Sequence, residues 1–265
     1  MKVDPEEVQS EVDSLLQFDP EILPEHFSCA IYGQRRTGKT TILRDLIYQL
    51  RDRFDIVIVF SVTADLYKTT DYSFVPENNF VYGLDEKFIE GMITKRRNYI
   101  LQGHDKKKLD RMLFLLDDVI SEKNVFHSKT LSSLFVLGRH ALISVVVLTQ
   151  HTSGINPTIR KNLDLSIVFY PESSASREVI SKEYLSLKHW NLGSEILKAA
   201  TNKQFATLAI IRNPSARAYN EKAFTYMARY HEKKFKIRGI VRQSAGGDHD
   251  ITCIKKFNIT FNIHD

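Results

Sequence analysis

The run Gly33-Gln34-Arg35-Arg36-Thr37-Gly38-Lys39-Thr40 constrains this chain more than any other stretch, because it matches G-x-x-x-x-G-K-[ST] without a mismatch. An apolar segment, Phe27 to Tyr32, runs into it. A segment with Ile42, Leu43, Leu46, Ile47 and Leu50 on one helical stripe leaves it. Strand, glycine turn and helix start, in that order, aim backbone N–H groups at a common point, and the helix N-terminus adds positive partial charge there. Such a cradle suits phosphate oxygens. Lys39 is placed to reach the β- and γ-phosphates of a nucleotide and Thr40 to offer a hydroxyl to Mg²⁺. The competing reading is an ordinary strand–turn–helix junction, with Arg35 and Arg36 as solvated cations at its tip.

From Phe27 onward strands alternate with helices. Asp55–Ser61 is a β-branched run too continuous for a half-exposed strand, as expected of a parallel sheet covered on both faces. Phe80–Tyr82, Met112–Leu116, Ile143–Leu148 and Leu165–Tyr170 read as further strands, with helices near 85–103, 129–141 and 175–187. The alternation predicts an α/β fold with a predominantly parallel central sheet flanked by helices. Phe205–Ile211 reads as one more strand and Ala216–Glu232 as a closing helix. Residues 1–25 form an acidic amphipathic helical arm, with Asp4 as N-cap, Pro5 at the first helical position and Glu7 closing a capping box. Its Val8, Val12, Leu15 and Leu16 share a face, and Asp19-Pro20 stops it. The arm packs either on the main domain, residues 26–235, or on a neighbouring subunit. In the basic tail, 236–265, Phe257, Ile259, Phe261 and Ile263 alternate with polar residues and predict a half-buried β-strand.

Composition excludes several classes. With 43% hydrophobic residues the chain is neither disordered nor low-complexity. Its longest apolar run, Ala141 to Leu148 with Ser144 inside it, falls far short of the ~20 residues of a bilayer-spanning helix, so no membrane span is expected. No secretory signal opens the sequence, and Cys29 and Cys253 are too few for a disulfide framework, so a soluble protein of a reducing compartment is expected. Residues 1–25 carry eight acids and one lysine, a net −7, which leaves +12 on residues 26–265 of a chain totalling +5. Lys95–Arg97, Lys106–Lys108 and the basic 233–242 segment suit a polyanionic partner or, equally, plain solvated surface.

A second element must hold the metal. Met112–Leu116 ends in Asp117-Asp118, 78 residues beyond Lys39. At a strand terminus beside the phosphate loop, Asp117 is placed to bind Mg²⁺ directly or through water and Asp118 to polarise the attacking water as general base, the competing reading being tandem acids that merely begin a surface loop. The gap leaves room for added strands, as in hydrolytic and mechanical P-loop ATPases. Gln150, at the end of the Ile143–Thr149 run, is placed to sense the γ-phosphate, since an amide both donates and accepts without competing for the metal.

The chain resembles the FtsK–HerA superfamily of P-loop ATPases and, within it, the genome-packaging ATPases of poxviruses, other large nucleocytoplasmic DNA viruses and virophages. The residues that carry this are Gly33–Thr41, Leu115–Asp118, Leu137-Gly138-Arg139-His140 through the strand to Thr149-Gln150, Ile159–Leu163 and Ser173–Arg177, roughly 27–185 in all. The resemblance implies a RecA-like ASCE domain that binds ATP and Mg²⁺ and assembles into a homo-oligomeric ring around double-stranded DNA. It would drive the DNA into a preformed capsid, with capsid or portal-vertex proteins as partners and the host cytoplasmic viral factory or the virion as location. Carried over by position, Gly33 to Thr41 hold nucleotide, Thr40 and Asp117 the metal, Asp118 is the base and Gln150 the sensor. Asp118 stands where much of the superfamily has Glu. Arg160, then Arg139 and Arg177, are the candidates for an arginine reaching a neighbouring subunit's site.

Three alternatives stay open: a cellular HerA-like or conjugation-type DNA translocase, a P-loop kinase of a nucleotide or other small molecule, and a nucleotide-binding assembly protein with little turnover.

Overall fold

The computed structural model describes residues 4–63, 71–119, 128–150, 152–229, 235–237 and 239. The strands are β1 Ser28–Tyr32, β2 Ile56–Ser61, β3 Phe80–Tyr82, β4 Met112–Asp117, β5 Ile143–Thr149, β6 Leu165–Val168, β7 Ala206–Ile211 and β8 Ala223–Met227. They form one eight-stranded sheet in the order β3-β2-β4-β5-β1-β6-β7-β8. Pairs β2–β3, β2–β4 and β1–β6 are parallel, while β6–β7 and β7–β8 are antiparallel. The expected parallel α/β sheet is therefore present, with an antiparallel edge. β1, β2 and β5 are buried along their whole length, which explains why their sequences run apolar without alternation. The tail strand expected across 257–263 lies outside the described residues.

The chain divides into two compact units: Met1–Pro24, Cys29–Gln49 and Val147–Glu232 in the first, Glu25–Ser28, Leu50–Val146 and Lys233–Asp265 in the second. In the first unit, α1 (Pro5–Asp13) starts on Asp4, whose carboxylate accepts from the Glu6 amide. It packs on α7 (Trp190–Ala200), a helix the sequence reading did not anticipate. The acidic arm thus has a seat within its own chain. Its helix stops at Asp13 rather than running to Leu16, which is 73% exposed. The reason is pairing: the Phe18 amide donates to Thr225 O at 2.8 Å and the Thr225 amide to Leu16 O at 3.0 Å, so residues 16–18 lie along β8. Among the described residues of the closing helix expected over Ala216–Glu232, that is 216–229, no α-helix forms. Phe224, Thr225 and Tyr226 instead pair with β7, and backbone partners on both sides outweigh local helix propensity.

A buried polar knot ties α2 (Lys39–Gln49) to β8. Asp45, 1% exposed, accepts from the Tyr226 hydroxyl at 2.6 Å and from Gln49 Nε2 at 2.9 Å. Burial and the Asp45 charge hold the Tyr226 phenol well above its usual range. Tyr226→Phe is expected to cost about 1–3 kcal/mol, because it removes a partner from a buried carboxylate. Urea unfolding reads this directly, and an unchanged midpoint would show the knot to be energetically neutral.

In the second unit β2 lies between β3 and β4, and Phe60, Phe88 and Phe114 form an aromatic cluster with centroids 5.3–6.3 Å apart. α3 (Glu86–Leu101) packs on α4 (Lys129–Leu137). The basic triplet on α3 is not a uniform surface: Lys95 and Arg97 are exposed, but Arg96 is fully buried. Its guanidinium donates to Ala141 O and Asp110 O, both at 2.5 Å, and burial lowers its pKa to about 10. Arg96 is thus removed from the candidate polyanion contacts. A short C-terminal segment crosses the same unit. Phe235 stacks on Phe74 with centroids 4.9 Å apart, the Ile237 amide donates to Phe74 O at 3.0 Å, and Asn79 Nδ2 donates to Gly239 O at 2.8 Å.

Candidate nucleotide-binding site

The glycine loop lies in the first unit. Its entry is tied to the sheet by the Gly33 amide, which donates to Thr149 O at 3.1 Å. A Cβ on Gly33 would stand 2.6 Å from Thr37 Oγ1 and 2.7 Å from the Phe169 ring, so the turn closes only around glycine. Gly38 has φ +103°, a conformation side chains rarely adopt. The Thr37 hydroxyl donates to Gln34 O at 2.9 Å. The Lys39 ammonium donates to Gly33 O and Gln34 O, both at 2.7 Å, and is folded over its own loop. Arg35 and Arg36 are exposed, as is Thr41, while Thr40 is half-buried in the first turn of α2. A tight loop that excludes side chains and holds an ammonium group at a helix start fits a polyphosphate.

Beside the loop opens a cavity of about 360 Å³ whose lining includes Tyr32, Gly33, Gln34, Gln150 and Thr152. The structure therefore brings the expected sensor amide and the first loop residues to one space. Thr152 Oγ1 is buried without a hydrogen-bond partner. Neither Thr152 nor Tyr32 stood out in the sequence, since one hydroxyl in a loop and one at a strand end carry no motif.

Arg160 and Arg177 are both engaged inside the first unit. Arg160, in α5 (Pro157–Arg160), has a side chain only 11% exposed. It forms a two-point ion pair with Glu183 at 2.8 and 2.9 Å and donates to Ile155 O at 2.7 Å. Glu183 is delivered by a π-helical turn, Ile180–Tyr184, that follows α6 (Ser174–Val179). The same turn sets the Tyr184 hydroxyl 2.7 Å from that of Tyr32, and burial pushes the Tyr184 phenol up to about 12. Arg177 donates to Pro171 O at 2.8 Å and Glu172 O at 2.5 Å, bracing a loop of the cavity wall, and lies 5.6 Å over the Tyr170 ring.

The paired acids and Arg139 belong to the second unit. Asp117 closes β4 in register with Ser61 of β2. Its Oδ2 accepts from the Tyr72 hydroxyl at 2.7 Å, and Tyr72 is 1% exposed. Burial, then the Asp117 charge, hold that phenol well above its usual range. Asp118 leaves the strand with φ +55°, a left-handed turn that Asp tolerates better than most residues. Both acids are half-buried. Arg139 is exposed on a 3-10 turn, Gly138–Ala141. Among the described residues no cluster of three or more His, Cys, Asp or Glu forms a protein-only metal cage. Each unit by itself carries hard oxygen donors of the kind Mg²⁺ takes, the Thr40 hydroxyl in the first and the Asp117 and Asp118 carboxylates in the second.

Comparison with known proteins decides the family, because the model of the poxvirus A32 protein family matches residues 16–228. The chain belongs to that family. A relative from invertebrate iridescent virus 6, uncharacterized protein 075L, is 32% identical to this A32-family chain over 140 residues, 52% of each protein. The match thus spans about half the length of that relative. Uncharacterized protein L437 of Acanthamoeba polyphaga mimivirus is 22% identical over 84% of this chain and 80% of its own length. Among solved structures, B204, the DNA-packaging ATPase of Sulfolobus turreted icosahedral virus, aligns with TM-score 0.53 and 18% identity over 78% of this chain and 99% of its own. The pCW3 conjugation coupling protein TcpA, with ATPγS, aligns with TM-score 0.57 and 14% identity over 89% of this chain and 71% of its own. At these identities the structural likeness shows the fold: the A32-family chain is a P-loop ATPase-type α/β protein. No helix among its described residues is long and apolar enough to cross a membrane.

Proposed function

We propose that this A32-family chain hydrolyses ATP as an oligomeric double-stranded DNA translocase and packages a viral genome into a preformed capsid in the host cytoplasm. The observation that carries the reading is the glycine loop, folded around the Lys39 ammonium and bordering a cavity that Gln150 also lines. The names of the structural relatives, a viral DNA-packaging ATPase and a conjugation coupling protein, support a motor. So does the strand order, in which β5 stands between β4 and β1. Small-molecule kinases typically set the metal strand directly beside the loop strand.

In this reading the loop amides and Lys39 take the phosphates, Thr40 and Asp117 hold Mg²⁺, and Gln150 orients water at the γ-phosphate. Asp118 accepts the proton of that water. Mg²⁺ held there would supply positive charge against that developing on the phosphates. Arg139 is the arginine best placed to serve a neighbouring subunit, because it is exposed whereas Arg160 and Arg177 are part-buried. Exposed Lys95, Arg97 and Lys106–Lys108 supply phosphate contacts to DNA, which a motor indifferent to sequence requires.

An ATPase assay with and without duplex DNA tests the proposal. Turnover is expected to rise with DNA of any sequence, and the stimulation to fall steeply between low and physiological salt. Stimulation by a small phosphoryl acceptor instead of DNA would assign the chain to the kinases.

A further inference from the structure

Tyr72 sits outside every motif that the sequence offers, yet its hydroxyl meets one of the two acids at the end of β4. Its ring lies among Phe74 and Phe80, with centroids 6.2 and 6.3 Å away. Packing alone would be served as well by phenylalanine there. The hydroxyl is the part that packing does not explain, and its partner is Asp117 Oδ2. Phe74 in turn stacks on the Phe235 ring and accepts from the Ile237 amide, so the ring beside the phenol is itself held by packing and a hydrogen bond.

We infer that Tyr72 is a positioning residue for the Asp117 carboxylate: its hydroxyl donates to Oδ2 and restricts rotation of the carboxylate that would hold Mg²⁺. A ligating carboxylate that swings freely loses entropy each time it binds, and a buried donor removes that loss in advance. Partners of this kind typically change metal affinity by about 10–100-fold when they are removed. The inference rests on the assignment of Asp117 to Mg²⁺ above, and the test separates the two.

The chain is titrated with MgCl2 in the presence of methylanthraniloyl-ATP, and binding of the fluorescent nucleotide is followed in Mg²⁺ and in EDTA. Tyr72→Phe is expected to raise the Mg²⁺ concentration at half-saturation by about 10-fold or more, while nucleotide affinity in EDTA stays at the wild-type value. Asp117→Asn is expected to raise it further, and the double variant to match Asp117→Asn, because the hydroxyl acts only through that carboxylate. A wild-type Mg²⁺ dependence in Tyr72→Phe beside a shifted Asp117→Asn overturns the role of Tyr72 alone. So does weaker binding in EDTA, the mark of a loosened fold, or a loss in the double variant beyond that of Asp117→Asn. An unshifted Asp117→Asn removes the metal assignment itself.

Discussion

Lys39→Ala is expected to lose ATP turnover by at least ~10²-fold, the scale seen when a preorganised charge stabiliser is taken from a reacting centre. Two effects add. The phosphates lose their cation, and the loop loses the ammonium that joins Gly33 O to Gln34 O. Steady-state phosphate release measures the first, and full turnover in the variant would remove the loop from the chemistry. The same variant reports on Arg139. Mixed with Arg139→Ala subunits, Lys39→Ala subunits supply an intact arginine to neighbours whose loops are intact. Part of the activity should therefore return, since such an arginine is worth ~10³–10⁵ in rate. No recovery after proven subunit exchange would count against a role in trans for Arg139.

Asp118→Asn is expected to slow hydrolysis by about 10²–10⁴-fold while MgATP binding remains close to wild type, as befits the loss of a proton acceptor. The substitution is unusually clean here. Asp118 has φ +55°, and Asn occupies that left-handed region as readily as Asp, so charge changes without new backbone strain. Single-turnover hydrolysis beside equilibrium nucleotide binding distinguishes the outcomes. Loss of binding together with hydrolysis would move Asp118 from base to metal ligand.

The parallel strands and the glycine loop were legible because burial on both faces and phosphate geometry each leave a residue pattern within a short stretch. β1, β2, β4, β5 and β6 stand within a residue or two of their expected spans. β8 was misread as helix, because its stability comes from β7 on one side and residues 16–18 on the other, and neither is local. α7 was missed for lack of start signals: His189 makes no side-chain cap, and Gly193 lowers helix propensity inside it. At the site, Tyr72, Glu183 and Tyr32 were invisible for a related reason. Each acts through one long-range contact, to Asp117, Arg160 and Tyr184 respectively, and a single hydroxyl or carboxylate has no spacing to recognise. Arg96 shows the converse, a residue that a charge run places on the surface and two carbonyls draw into the interior.

The outermost strands have a consequence for how copies of this chain can join. β8 already has residues 16–18 along its free side, and β3, at the other end of the strand order, is three residues long. Among the described residues the sheet thus offers a neighbour almost no open row of amides and carbonyls to zip onto. Among the described residues, contacts between copies would therefore fall to side chains, which can be made and released more readily than a shared backbone ladder.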